Sequence, residues 1–152
     1  MDWRLILQIK NIIVKKAYFI CHFKDKAHLK EAPAHFYIII PTQDDNFMLL
    51  CMITSKVEKK IRYYTLTNKK ALQSLVYLDK KDLQFLSLDC SVMDCNQSEY
   101  IENMELVRRI DEEIGFKIII EPDKFQEGLK EKIKQAIIVS PLIKPFIKKK
   151  LL

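Results

Sequence analysis

The side chains able to do chemistry are few and widely spaced. There are three histidines, His22, His28 and His35, and none stands in an HExxH or similar metal-binding frame. The four cysteines, Cys21, Cys51, Cys90 and Cys95, form no CxxC pair, so reduced thiols in a cytosol fit them better than a disulfide framework. Cys21 and His22 together with Cys90 and Cys95 would make a zinc site only if distant segments converged, and buried structural cysteine is the commoner use of such residues. The expectation is therefore no metal and no other cofactor. Asp44, Asp45, Asp89 and Asp94 lie near predicted strand ends, where a carboxylate pair for acid-base work and ordinary turn chemistry look alike. Two stretches carry more. MITSK (52–56) sets two hydroxyls before a cation at a strand end, and KKIRYY (59–64) interleaves cations with aromatics, which suits backbone attraction plus base stacking. With only two glycines, Gly115 and Gly128, no glycine-rich phosphate loop of either common kind is available.

Charge points the same way as KKIRYY. Twenty-six basic residues against twenty acidic ones give a formal charge of +6, which favours phosphate backbones or acidic partners through long-range attraction. A plainly solvated basic face has the same composition. The one dense cluster is Lys144 with Lys148 to Lys150. At 152 residues, 49% hydrophobic, the chain has the size of a single domain over 1–152 with room for a real core. Its longest uninterrupted apolar run, Phe47 to Ile53, is far below the roughly 18 residues that span a bilayer. The amino-terminal segment breaks its apolar residues with Arg4, Gln8, Lys10 and Asn11 and shows no small-residue cleavage site, so a cytoplasmic protein without a secretory signal is expected.

The elements that must position these residues are read from periodicity. Trp3, Ile6, Leu7, Ile13, Val14 and Ala17 fall on one helical face over 3–20. A charged loop over 24–33 then leads to HFYIIIP (35–41), an aromatic and β-branched strand stopped by proline. After a turn over 42–46, FMLLCMIT (47–54) predicts an antiparallel partner at hairpin distance. Further short strands are predicted at 61–66, 74–78 and 86–93, which together suggest a strongly curved sheet or barrel. Asn96 and Glu99 then form a capping-box pattern, an apolar stripe runs from Tyr100 to Ile114, and Gly115 sits where a C′ glycine belongs, so a helix is predicted over 97–114. A strand over 116–121, a helix reaching Val139 and a short basic helix opened by Ser140 and Pro141 complete the chain. Strands dominate about 30–96 and helices 97–152, an α+β organisation.

The order HFYIIIP, then FMLLCMITSKVEKK, then SLDCSVMDCNQ resembles the MazF/PemK-type toxins of toxin-antitoxin pairs over residues 30–110. The resemblance implies a small SH3-like antiparallel β-barrel decorated with helices, a homodimer, an antitoxin protein as partner, and metal-independent cleavage of single-stranded RNA. Carried over position by position, Thr54 and Ser55 match the family's threonine-containing strand end, where the hydroxyl contacts the scissile phosphate, and Lys56 follows directly. The family's catalytic arginine precedes the first buried strand in an Arg-Pro context. Here His35, after Pro33 and Ala34, takes that place, and its imidazole suits proton transfer near neutral pH. Lys56, Lys59, Lys60 and Arg62 would supply charge, Tyr64 a stacking surface, and Asp89 and Ser91 polar contacts to RNA. Asp94 and Asn96 align with the same later strand, where Asn96 reads as a helix cap. Loss of the arginine leaves a second expectation open, a non-catalytic RNA- or protein-binding module on the same barrel. An unrelated α+β protein whose basic charge is incidental is the third.

Overall fold

HFYIIIP and FMLLCMIT fold as the central hairpin, for the reason their composition gives: β-branched and aromatic side chains pack well on a pleated surface. The structure, a computed structural model, describes residues 3–24, 34–81, 83–86, 90–111 and 115–152. Within them seven strands form one sheet: β1 (Phe19–Phe23), β2 (His35–Pro41), β3 (Phe47–Thr54), β4 (Leu75–Asp79), β5 (Cys90–Asp94), β6 (Glu99–Glu102) and β7 (Lys117–Ile120). All pairings are antiparallel, and β2 and β3 run in register from Phe36 opposite Ile53 to Pro41 opposite Met48. Strands β6 and β5 both lie along β3, β6 beside Phe47 to Leu50 and β5 beside Ile53 and Thr54. They act as one strand interrupted by the turn at Cys95–Gln97.

Both faces of the sheet are covered. One face, with Ile20, Ile38, Ile40, Leu49, Cys51 and Ile53, packs against Ile133, Ala136 and Ile137 of α4 (Glu127–Val139) and against Ile143 and Ile147, the latter on α5 (Pro145–Lys148). The other, with Phe19, Cys21, Phe23, Tyr37, Ile39 and Leu50, meets Ile9 and Ile12 of α1 (Trp3–Val14) and Leu106 and Ile110 of α3 (Asn103–Asp111). Each fully buried aliphatic or aromatic side chain contributes about 1.5–3 kcal/mol, so the central strands hold the molecule together. A third, smaller cluster joins α2 (Val57–Thr67) to Leu75 and Val92.

The structure departs from the sequence expectations in five places. The strand order β4-β5-β3-β2-β1-β7 leaves β4 and β7 as two edges, so among the described residues the α+β sheet is open and does not close as the expected barrel. Residues 61–66, expected as a strand, belong to α2: Val57, Ile61 and Tyr64 share one helical face and bury together, which outweighs the β-propensity of the individual residues. The helix expected over 3–20 stops at Val14, where Lys15 and Lys16 end the apolar stripe and Lys16 turns the chain at φ 53, and Phe19–Phe23 is a strand. The helix expected over 97–114 splits into β6 and α3, because Tyr100 and Ile101 pair with Leu49 and Met48 and Tyr100 stacks on Phe47 at 4.6 Å; Ile114 lies outside the described residues. Ser140 accepts the N–H groups of Leu142 and Ile143 as a cap does, yet the last helix begins only at Pro145. Leu75–Asp79, Cys90–Asp94, Lys117–Ile120 and α4 fall within or close to their predicted spans. The loop expected over 24–33, with His28, lies outside the described residues from 25 onward. No helix of the described residues is long and apolar enough to cross a membrane.

Candidate functional site

Register builds the first wall of the site. Phe36 pairs with Ile53 and Tyr37 with Met52, so one step further His35 comes beside Thr54. Because side chains alternate across the sheet, His35, Tyr37 and Ile39 share a face with Thr54, Met52 and Leu50. Tyr37, Ile39 and Leu50 lie under α1 and α3, whereas His35, Met52 and Thr54 line an open groove of about 350 Å³.

The helix that follows supplies the second wall. Lys56, Lys59, Lys60 and Tyr63 are spaced i, i+3, i+4 and i+7, which puts them on one stripe of α2. All four line the groove, with Gln97 from the turn after β5 closing it. The opposite stripe, Val57, Ile61 and Tyr64, is the one held in the core. The start of α2 is fixed locally: Thr54 Oγ1 accepts the Lys56 N–H at 3.2 Å and the Ser55 carbonyl accepts the Val57 N–H at 2.9 Å. No described residue accepts from the Thr54 hydroxyl, which is left to donate. Lys56 and Lys59 are exposed and have no acidic partner among the described residues.

The remaining sequence candidates fall elsewhere. Ser55 is exposed beside the groove without lining it, and Arg62 is exposed on α2 away from it. Ser91 is buried in β5. Tyr64 is only 1% exposed and donates its hydroxyl inward to Asp94. Asp89 lies outside the described residues. Met52 and Gln97 line the groove although the sequence does not mark them as site residues, and of the two tyrosines of KKIRYY it is Tyr63 and not Tyr64 that lines it. Tyr63 becomes legible once KKIRYY is read at helical spacing from Lys56, whereas nothing in the local sequence marks Gln97. Of the thiols and imidazole considered for zinc, Cys21 and Cys95 sit in the cores on opposite faces of the sheet. Among the described residues no group of three His, Cys, Asp or Glu is placed to hold a metal ion. Asp44 and Asp45 serve the hairpin turn and an ion pair with Lys16.

Behind the groove lies a buried polar chain that fixes α2 in place. The Asp94 carboxylate accepts four hydrogen bonds: Lys60 Nζ at 3.1 Å and Tyr64 Oη at 2.6 Å on one oxygen, Asn96 N at 3.1 Å and Asn96 Nδ2 at 3.0 Å on the other. Asn96 also donates to the Ala71 carbonyl at 2.8 Å and accepts from Ser140 Oγ at 2.7 Å. Asn96 is thus a buried bridge and not the helix cap its position suggests. Burial together with the neighbouring Asp94 carboxylate pushes the Tyr64 phenol well above its ordinary range, so it stays a donor. Lys60 in turn donates to Gln97 Oε1 at 2.9 Å. One ammonium therefore joins the buried chain to the groove.

His35 is half-buried, with its ring edge-on to Tyr37 at 6.4 Å. Its pKa lies below the ordinary 6.5, first because burial penalises the imidazolium and then because the Lys56 and His22 charges repel it. Folded His35 is thus neutral at neutral pH, the form that accepts a proton. The groove brings together a base, a hydroxyl donor, two cations without acidic partners, a third held by a carboxylate, and an aromatic ring.

Removing Asp94 would take the acceptor from the buried Tyr64 hydroxyl and the Asn96 backbone N–H, and would leave the Lys60 ammonium without its carboxylate. Asp94→Ala is expected to cost about 3–5 kcal/mol in urea unfolding, and Ser140→Ala, which removes a neutral partner, about 1–3 kcal/mol. Equal, small losses for both would contradict the network as drawn.

Compared with known proteins, the chain matches no family, no curated protein and no solved structure.

Proposed function

We propose that the groove binds single-stranded RNA and cleaves it by attack of a ribose 2′-hydroxyl on the adjacent phosphorus, without a metal ion. The observation that carries this reading is that His35, Thr54 and Lys56, three residues from three consecutive segments, line one open groove together with Lys59, Lys60 and Tyr63. The reaction needs a base for the 2′-hydroxyl, donors and cations for the charge that develops on phosphorus oxygens, and a proton for the departing 5′ oxygen. In this proposal neutral His35 takes the 2′-hydroxyl proton and returns it to the 5′ oxygen as the P–O5′ bond breaks. Thr54 donates its hydroxyl to a non-bridging oxygen, and Lys56 and Lys59 neutralise the phosphate. The products are a 2′,3′-cyclic phosphate and a 5′-hydroxyl, so atoms and charge balance.

With this go the remaining parts of the MazF/PemK resemblance: a toxin-type role in the cytoplasm, a homodimer, and an antitoxin protein able to occupy the groove. The groove is lined by one imidazole and, among the described residues, no guanidinium, which favours an RNA-binding module as the second reading.

The two separate on incubation of purified protein with a long single-stranded RNA in EDTA. Cuts ending in cyclic phosphate, lost in His35→Ala and Thr54→Ala, are the expected result. Salt-sensitive retention without cutting would select the binding module, and neither would remove RNA from consideration. If cutting occurs, kcat/KM, which reports the free protein, should rise with pH through an inflection below 6.5, because the folded imidazole loses its proton more readily than a free one. Lys56→Gln removes a repelling charge and should move that inflection upward. A downward move in Lys56→Gln would place the base elsewhere.

A further inference from the structure

Apart from His35 and the Tyr63 hydroxyl, which can accept, the side chains that line the groove offer donors around Gln97. Lys56, Lys59 and Lys60 carry only donors, and Thr54 Oγ1 already accepts the Lys56 N–H. Gln97 is the lining side chain whose amide has both a donor end and an acceptor end. Its orientation is decided by Lys60, whose ammonium donates to Gln97 Oε1 at 2.9 Å. Turning the amide over would set NH2 against NH3⁺, donor against donor. Lys60 cannot move away to allow this, because its ammonium is also bound at 3.1 Å by the buried Asp94 carboxylate. The turn that carries Gln97 is pinned by the same carboxylate through the Asn96 N–H. Gln97 Nε2 hydrogen-bonds to no described residue, so its two N–H groups are left for a ligand. In the same groove Tyr63 is 54% exposed, and Tyr64 braces its ring edge-to-face at 5.1 Å.

We propose that Tyr63 and Gln97 form a base subsite selective for keto bases: a nucleobase stacks on Tyr63 and presents to Gln97 Nε2 the carbonyl oxygen that distinguishes a keto from an amino base, O4 in uracil. Cytosine, which shares O2 with uracil but carries an amino group in place of O4, points a donor at the Gln97 N–H groups there and leaves an N–H unpaired. Stacking on Tyr63 supplies affinity that does not depend on the base, and Gln97 supplies the discrimination. The subsite rests on the RNA reading of the groove.

The test is fluorescence anisotropy of the full chain with oligouridine and oligocytidine of equal length, 2′-O-methylated so that neither can be cut. Wild type is expected to bind the uridine strand roughly tenfold more tightly. Gln97→Glu keeps an oxygen for Lys60 but replaces NH2 by an acceptor, and it should abolish or invert that ratio. Its added negative charge weakens both strands, so the ratio is the readout and not the affinity. Tyr63→Ala should weaken both strands similarly and leave the ratio in place. Equal binding of the two strands by wild type, or a ratio unchanged in Gln97→Glu, would overturn the subsite while leaving RNA binding intact. Failure of wild type to bind either strand at low salt would overturn the RNA reading itself, and the subsite with it.

Discussion

A carboxylate buried at the junction of a strand and a helix is the constraint around which this molecule is arranged. Taking Asp94 out of water costs several kcal/mol, and the cost is offset only if every oxygen lone pair finds a donor. The four donors come from α2 and from the turn after β5, and Asn96 passes the connection on to Ala71 and Ser140. The Cys51 thiol donates to the Asp94 carbonyl at 3.2 Å, tying in β3 as well. Without this chain α2 and the turn at Ala71 would meet the sheet only through a modest apolar patch, Tyr64, Ala71, Leu75 and Val92. The polar chain sets one relative placement of α2, the sheet and the segment after α4, where apolar contact alone would tolerate several.

That placement has an electrostatic consequence. Of the three lysines facing the groove, Lys60 is committed to Asp94 while Lys56 and Lys59 have no acidic partner among the described residues. The same stretch of chain thus presents one cation as a fixed structural strut and two as charge available to a ligand. Lys56 is also part of what keeps His35 neutral, so binding charge and proton acceptance arise from neighbouring groups. A phosphate entering the groove would offset the repulsion on His35 and make the imidazole a better base where a substrate is present.

Much of this arrangement is legible in the amino-acid sequence. Two dense apolar runs bounded by proline and polar turn residues specify the hairpin from His35 to Thr54, and its register alone brings His35 beside Thr54. The expectation of a barrel comes from the further short strands read at 61–66, 74–78 and 86–93 and from the family resemblance; residues 61–66 are helical, and a strand buried on both faces reads identically whether helices cover it or a sheet curls over it. α2 reads as a strand because Ile61, Tyr63, Tyr64 and Thr65 favour strands individually, while the pairing that decides the matter, Tyr64 with Asp94, joins residues far apart in the chain. β6 is hidden for a similar reason: its hydrophobic stripe is compatible with a helix, and only its partner β3 makes it a strand. Gln97 leaves no trace in the local pattern because its role depends on which way an amide faces, and that is set by a lysine on another element.

The proposed RNA site stands or falls with the groove. The most direct measurement is an NMR titration of labelled protein with a 2′-O-methyl RNA oligonucleotide, following backbone amides and the His35 imidazole. Shifts concentrated at residues 54–63, at His35 and at Gln97 are the predicted result, with the basic segment at Lys148 to Lys150 little changed. Shifts centred on that segment with the groove silent would contradict the assignment of the groove as the RNA site.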